Sequence, residues 1–515
     1  MTRTSAIAFA LLLSSAPVVA QNAPAGDTPS KDAKADAAKP NPDQVKASVE
    51  EDAQPVRRSI SMRGRTLAYT ATPGHLTIRN ADGEPTVSMF YVAYTVPSSG
   101  RPRPVTFLFN GGPGSSTMWL HMGSFGPMKV DASSPETIAG PPFRYGPNPD
   151  TLLDVSDLVF IDAPTTGLSR PLGKAEPKDF FGVDKDIDTF TRTIQRYLTK
   201  YGRWNSPKFI IGESYGTTRA AGLSQSLLDQ GVQLNGIAFV STVFNFADFQ
   251  GDQSLVNFFP TLAANAWYHG KIDPKPDLRQ FLADASAFAA GPYAAALQRG
   301  NSLTDDEKRS VAQQMARFLG VSPDYILRSN LRVTDDRYRR ELLRDRGQII
   351  GRIDSRYVGT EADNAGAGTS YDPQASAITG GFVGALNDYL YRDLGYRTDL
   401  VYRPNNYGAI YGSPDGWNFQ HKSPDGDQLM ADTSIDLANA MRQNPRMKVM
   451  SVNGYYDLAT PFHGADYEFG HLALEPRLQS NIRYTYYEAG HMTYIDPASA
   501  RQLKADLASF YASAL

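Results

Sequence analysis

The sequence contains no cysteine. Disulfides, thiolate metal sites, a cysteine nucleophile and a lipidated N-terminal cysteine are therefore excluded. Its seven histidines are scattered without ligand spacing, and no His-Glu-x-x-His occurs, so nothing points to a metal centre. Neither Gly-x-Gly-x-x-Gly nor the Walker lysine spacing is present, and no cofactor is implied. The 51 basic and 54 acidic residues are balanced without a strongly basic tract, which argues against a nucleic-acid partner. The apolar run in the first twenty residues is too short to span a bilayer comfortably, and no later segment is long and apolar enough to do so. Asn-x-Ser/Thr sequons and internal repeats are also lacking, and no feature specifies an oligomeric state.

What is present begins with an export signal. Arg3 supplies a positive n-region, Ala6 to Leu13 an apolar stretch, and Val18-Val19-Ala20 a small-residue cleavage site before Gln21. Residues 1–20 thus read as a signal peptide. Without disulfides or sequons, an exported chain of this size points to a bacterial periplasm, with full secretion the next expectation. Residues 21–55 are rich in Ala, Pro, Asp and Lys and have no apolar periodicity to bury, which predicts a flexible leader. With 41% apolar and 20% charged residues, the remainder sustains a sizeable core.

From 56 to 515 the pattern is that of one α/β catalytic domain. Alternating stretches at Thr66–Thr72 and Val87–Val96 flank an Asn80-Ala81-Asp82-Gly83 turn, predicting an antiparallel hairpin. Short apolar runs at 105–109, 158–161, 208–211 and 236–240 alternate with helical patterns at 183–201 and 217–228, which predicts a mostly parallel central sheet flanked by helices. Between about 245 and 396 the pattern turns helical and reads as a cap insertion over the active-site end of the sheet. Strands resume at 448–452 and 482–487, and a final helix covers about 498–511.

Gly212-Glu213-Ser214-Tyr215-Gly216 matches G-x-S-x-G between an apolar strand and a helix, the setting of a nucleophile elbow in the α/β-hydrolase fold. A serine hydroxyl needs a base oriented by a carboxylate, and the chain order in this fold is Ser, acid, His. His491 follows the 482–487 strand and Asp457 follows the 448–452 strand, so each stands at a strand's C-terminal end. His463 and His471 fit a structural role better. Asn110-Gly111-Gly112-Pro113-Gly114 follows the 105–109 strand, and the amides of Gly112 and Tyr215 are the candidate oxyanion donors. Trp119, Tyr215 and Tyr456 are aromatic candidates for the pocket wall, with plain packing the simpler reading.

These motifs resemble the serine carboxypeptidase family. Asn110 to Ser116 is similar to its NGGPG-(C/S)-S loop, Gly212 to Gly216 to its GESY-(A/G) elbow, and Phe160 to Ser169 to the block between them. Asp457 and Gly490-His491-Met492 match the remaining triad segments. The resemblance implies release of C-terminal residues from peptides, with Asn110, Gly111 and Glu213 binding the substrate's terminal carboxylate and a protonated Glu213 favouring acidic pH. The chain departs from the pattern in several places: the disulfides of eukaryotic members are absent, and the insertion around 245–396 shows only patchy likeness. Ser124 stands where the family often has a second glutamate, and Thr493-Tyr494 replaces a Val-Pro pair. An esterase or acyltransferase on the same scaffold is the main alternative, since the triad serves any acyl group. A non-catalytic binding protein is the other.

Overall fold

The computed structural model describes residues 46–515 apart from 63, 99, 101, 414 and 415. The expected signal peptide and most of the leader lie outside the described residues. The leader's final stretch is ordered, contrary to the flexible segment expected as far as 55. Asp52 accepts the His75 amide at 2.8 Å, Glu51 accepts that of Thr77 at 3.1 Å, and Thr77 Oγ1 donates to Val49 O. Glu51 also pairs with Arg196 and Lys200 at 2.8 Å. Composition registered the lack of apolar periodicity there; these distant cations and strand amides are invisible to it.

Nine strands make the path of the central sheet: β1 Val56–Met62, β2 Arg65–Arg79, β3 Pro85–Thr95, β4 Val105–Phe109, β5 Asp157–Ile161, β6 Lys208–Glu213, β7 Gly236–Val240, β8 Lys448–Gly454 and β9 Ile482–Tyr487. Their spatial order is β1-β2-β3-β5-β4-β6-β7-β8-β9, with a two-residue strand, Arg170–Pro171, added beside β3. β1 to β3 are antiparallel, β3 pairs antiparallel with β5, and β5 through β9 run parallel. This is the sheet of an α/β hydrolase.

Alternation along each strand sends side chains to opposite faces, and both faces are covered. Phe107, Phe109 and Ile210 pack with Phe190 and Ile194 of helix α1 (Val183–Lys200), Leu223 of α2 (Tyr215–Asp229) and Leu437 of α3 (Ser434–Gln443). Leu108, Phe209 and Ile211 pack on the other face with Leu503, Leu507 and Phe510 of α4 (Pro497–Ala514). The chain leaves β4 to one side for β5 and returns to the other side for β6. That reversal opens a crevice beyond the C-terminal ends of β4 and β6.

Between β7 and β8 the chain makes its longest excursion, which is largely helical. Helices at Gly251–Tyr268, Leu278–Phe288 and Asp305–Leu319 enclose their own apolar core around Leu262, Phe288 and Met315. Local sequence explains the last of these. Thr304 and Glu307 form a reciprocal capping box at its start, and Gly320 ends it at φ 64°. After Pro373–Asp388 the chain runs back over the sheet's edge as a strap. Bridges join Arg403 to Gly167, Asn405 to Ser115 and Asp432 to Asn245.

Candidate active site

β6 runs directly into α2 through Ser214, whose φ of 59° and ψ of −132° are rarely adopted by a residue with a side chain. The turn is held from both sides. Ser214 N donates to Val240 O at 2.9 Å, and Thr217 N and Oγ1 donate to Ser214 O at 2.7 and 2.6 Å. A Cβ on Gly212 would fall 2.2 Å from Gly216 O, and one on Gly111 would fall 2.4 Å from the amide nitrogens of Tyr215 and Gly216. Glycine is therefore required at both positions, and the β4 loop lies directly against the elbow. Glu213 and Tyr215 are buried while Ser214 is partly exposed.

His491 Nδ1 lies 2.8 Å from Asp457 Oδ2. Asp457 is fully buried, and its other oxygen accepts the amides of Ala459 and Thr460 at 2.7 and 3.0 Å. Thr460 Oγ1 donates to Asp457 Oδ2 at 2.8 Å and lies 3.1 Å from His491 Nδ1. Burial disfavours the imidazolium, but the Asp457 charge and hydrogen bond, joined by the Glu213 charge, outweigh it and raise the His491 value above its ordinary one. The His491 backbone is pinned by its own amide to Ile353 O at 2.7 Å and by Ser241 Oγ to its carbonyl at 2.7 Å. No hydrogen bond joins Ser214 to His491 in this structure, yet both line one cavity of about 130 Å³. Asn110, Gly111, Gly112, Glu213 and Tyr215 line it with them. His463 and His471 do not, and His471 Nδ1 lies 2.7 Å from Tyr467 O.

Asn110 and Glu213 stand side by side at the ends of β4 and β6. Burial pushes the Glu213 carboxyl up to about 7, against the lowering influence of His491, Tyr494 and Asn110. The Tyr494 hydroxyl donates to Glu213 Oε2. Asn110 Oδ1 accepts from Leu120 N at 3.0 Å, whereas its buried Nδ2 makes no well-directed hydrogen bond. Ser124, in the place of the family's second glutamate, turns away and donates to Leu120 O.

Behind the elbow, Arg219 of α2 forms a buried bidentate pair with Asp186 of α1 at 2.7 and 3.1 Å. Its third contact, Nη1 to Asn110 O at 2.8 Å, ties the elbow helix to the β4 loop. The guanidinium centre also lies 4.2 Å from the Phe190 ring centroid.

The opposing lining comes from the excursion and strap: Phe246, Phe249, Arg352, Ile353, Tyr407 and Tyr411. Trp119 contributes too, but Tyr456 packs instead in the cap core against Tyr268. Sequence reasoning missed Thr460, Tyr494 and Arg352. The first two are three residues beyond Asp457 and His491, where proximity was the available signal. Arg352 carried no motif at all.

The sheet and the site together define a serine hydrolase of the α/β-hydrolase fold. Solved structures with likeness to this chain include a serine hydrolase from the polyaromatic hydrocarbon-degrading bacterium Cycloclasticus zankles, at 13% identity and TM-score 0.32, covering 84% of this chain and 98% of that one. Another is the homoserine O-acetyltransferase of Staphylococcus aureus, at 12% identity and TM-score 0.34, covering 85% and 95%. Within the α/β-hydrolase class, residues 64–288 match the model of the serine carboxypeptidase family, as the motifs implied. Serine carboxypeptidase-like 51 of Arabidopsis thaliana is 28% identical over 142 residues, which is 26% of this chain. The chain spans about a quarter of that relative's length, 27%.

Proposed function

We propose that this protein is a serine-type carboxypeptidase. The observation that carries the reading is the pair formed by Glu213 and Asn110 in the same cavity as Ser214. A carboxyl raised to about 7 beside a buried amide donor that has no well-directed partner suits a ligand that brings its own carboxylate. Gly111 shapes the loop that presents Asn110.

In this reading Ser214 Oγ attacks the scissile carbonyl while His491 takes its proton, and Asp457 orients the ring and stabilises the imidazolium. The developing oxyanion is received by the amides of Gly112 and Tyr215, which have no backbone acceptor of their own among the described residues. His491 then returns the proton to the departing amino acid, and water repeats the sequence on the acyl-enzyme. Residues 1–20 would serve as the export signal, to the periplasm or outside the cell. The catalytic domain would run from 56 to 515, with the cap at about 245–396.

The sign of the pH dependence follows from Glu213. Its value is raised, so the protonated form that can donate to a terminal carboxylate prevails below about 7 and is lost above it. Peptide kcat/KM should therefore fall as pH rises through about 7. Glu213 and His491 feel each other's charge, so the profile reports the pair.

The test is mass-spectrometric analysis of N-blocked dipeptides and their C-terminal amides across pH, with wild type and Ser214→Ala. Release of the free terminal residue is expected from wild type, with the amides much poorer and the variant down at least about 10⁴-fold. If simple esters are cut and neither peptide is, the enzyme is an esterase or acyltransferase and the carboxypeptidase reading fails.

A further inference from the structure

We propose that Arg352 selects peptides carrying an acidic side chain next to the scissile bond. This rests on the carboxypeptidase reading and adds a second recognition element to it. Among the described residues, Arg352 is the one Lys or Arg lining the catalytic cavity. Its guanidinium makes no hydrogen bond and no ion pair among the described residues. By contrast Arg356, four positions on, is saturated by Asp354, Asp496 and the Glu488 carbonyl.

The backbone at Arg352 and Ile353 is tied to the loops of the catalytic acid and base. The Arg352 amide donates to Asp372, its carbonyl accepts Leu458 N at 3.0 Å, and the next carbonyl accepts His491 N at 2.7 Å. Its charge acts on His491, Tyr407 and Tyr411, three groups that line the cavity. Asp335 also feels it, but the two do not reach ion-pair distance.

A partly desolvated guanidinium offers five donors in a fixed fork and is best satisfied by a carboxylate. The substrate's terminal carboxylate already has Asn110 and Glu213. The carboxylate left for Arg352 is on a side chain, that of Asp or Glu at one of the two residues flanking the cleaved bond.

The decisive comparison uses N-blocked dipeptides that differ only as Glu or its isostere Gln, at either position, with wild type, Arg352→Gln and Arg352→Lys. Wild type should prefer Glu at one position by at least about tenfold in kcat/KM. That ratio should fall to about 1 in Arg352→Gln and partly return in Arg352→Lys, with Ser214 labelling by a fluorophosphonate reporting an intact fold. A wild-type ratio near 1 at both positions overturns the proposal. So does a ratio that survives Arg352→Gln, or an equal loss on every substrate, which would assign Arg352 to the terminal carboxylate. If no dipeptide is cut although Ser214 is labelled, the carboxypeptidase reading fails separately. Arg352 is then judged by whether N-acetylglutamate protects Ser214 from the label better than N-acetylglutamine, equal protection counting against it.

Discussion

On the sheet side of the cavity, Ser214 and Asn110 stand at strand ends beside Gly212 and Gly111, where a single added methyl group would collide with backbone. On the insertion side, Arg352, Tyr407 and Tyr411 are carried on a loop and a short helix, joined to the sheet side by isolated bridges and single backbone hydrogen bonds such as Leu458 N to Arg352 O and Asn406 N to Gly114 O. One wall is built by close backbone packing and buried charge, the other by long-range contacts between segments remote in sequence. The difference suggests a division of labour. A rigid wall suits the chemistry, which tolerates little displacement, and an attached wall suits recognition of varied substrates.

The largest effect should come from breaking the rigid wall from behind. Arg219→Met would leave Asp186 buried without its partner and release Asn110 O, at a cost of about 3–5 kcal/mol read by chemical denaturation. Adding Asp186→Leu should recover much of that stability, because replacing both members of a buried pair by apolar groups is often nearly neutral. Activity should stay depressed in the double variant, since the tie to the Asn110 loop remains cut. Full recovery of activity would show that the tie is dispensable.

An intermediate effect is expected where the base loop meets the elbow. The Tyr494 hydroxyl favours the ionised form of Glu213, so Tyr494→Phe should raise the Glu213 value further. The alkaline limb of the peptide pH profile would then move up by roughly one unit, the equivalent of one charge-assisted hydrogen bond. Glu213→Gln should abolish that limb altogether. An unmoved limb in Tyr494→Phe would assign the profile to another group.

The smallest effect tests how the strap is attached. His421 sits between Asp184 and Asp436 at 2.6 and 2.9 Å. Burial opposes its charge, but the two carboxylates outweigh burial and raise its value to about 9. Because the folded value exceeds the ordinary 6.5, the stabilisation is complete below about 6.5 and lost as pH rises through about 9. His421→Gln should therefore destabilise by about 1 kcal/mol at pH 6 and by almost nothing at pH 10, in thermal or denaturant melts. A pH-independent loss would mean that His421 acts through packing.

The same contrast separates what could be read in advance from what could not. The runs at 105–109 and 236–240 coincide with strands β4 and β7, because a buried parallel strand is written as a continuous apolar run, and 482–487 coincides with the edge strand β9, which is rich in β-branched and aromatic residues. The elbow was legible because its glycines answer to local sterics within five residues. β1 was not anticipated, nor was the ordered end of the leader, whose carboxylates find Arg196 and His75 far along the chain. Short-range sterics and the period of apolar residues thus determined, from sequence by itself, the fold class and which segments carry Ser214 and the candidate base and acid, His491 and Asp457. Only the tertiary structure decided that Tyr494 would meet Glu213, that Arg219 would brace Asn110 and that Arg352 would face the cavity unpaired. Each of these depends on bringing together residues more than a hundred positions apart, and no local pattern records such an encounter.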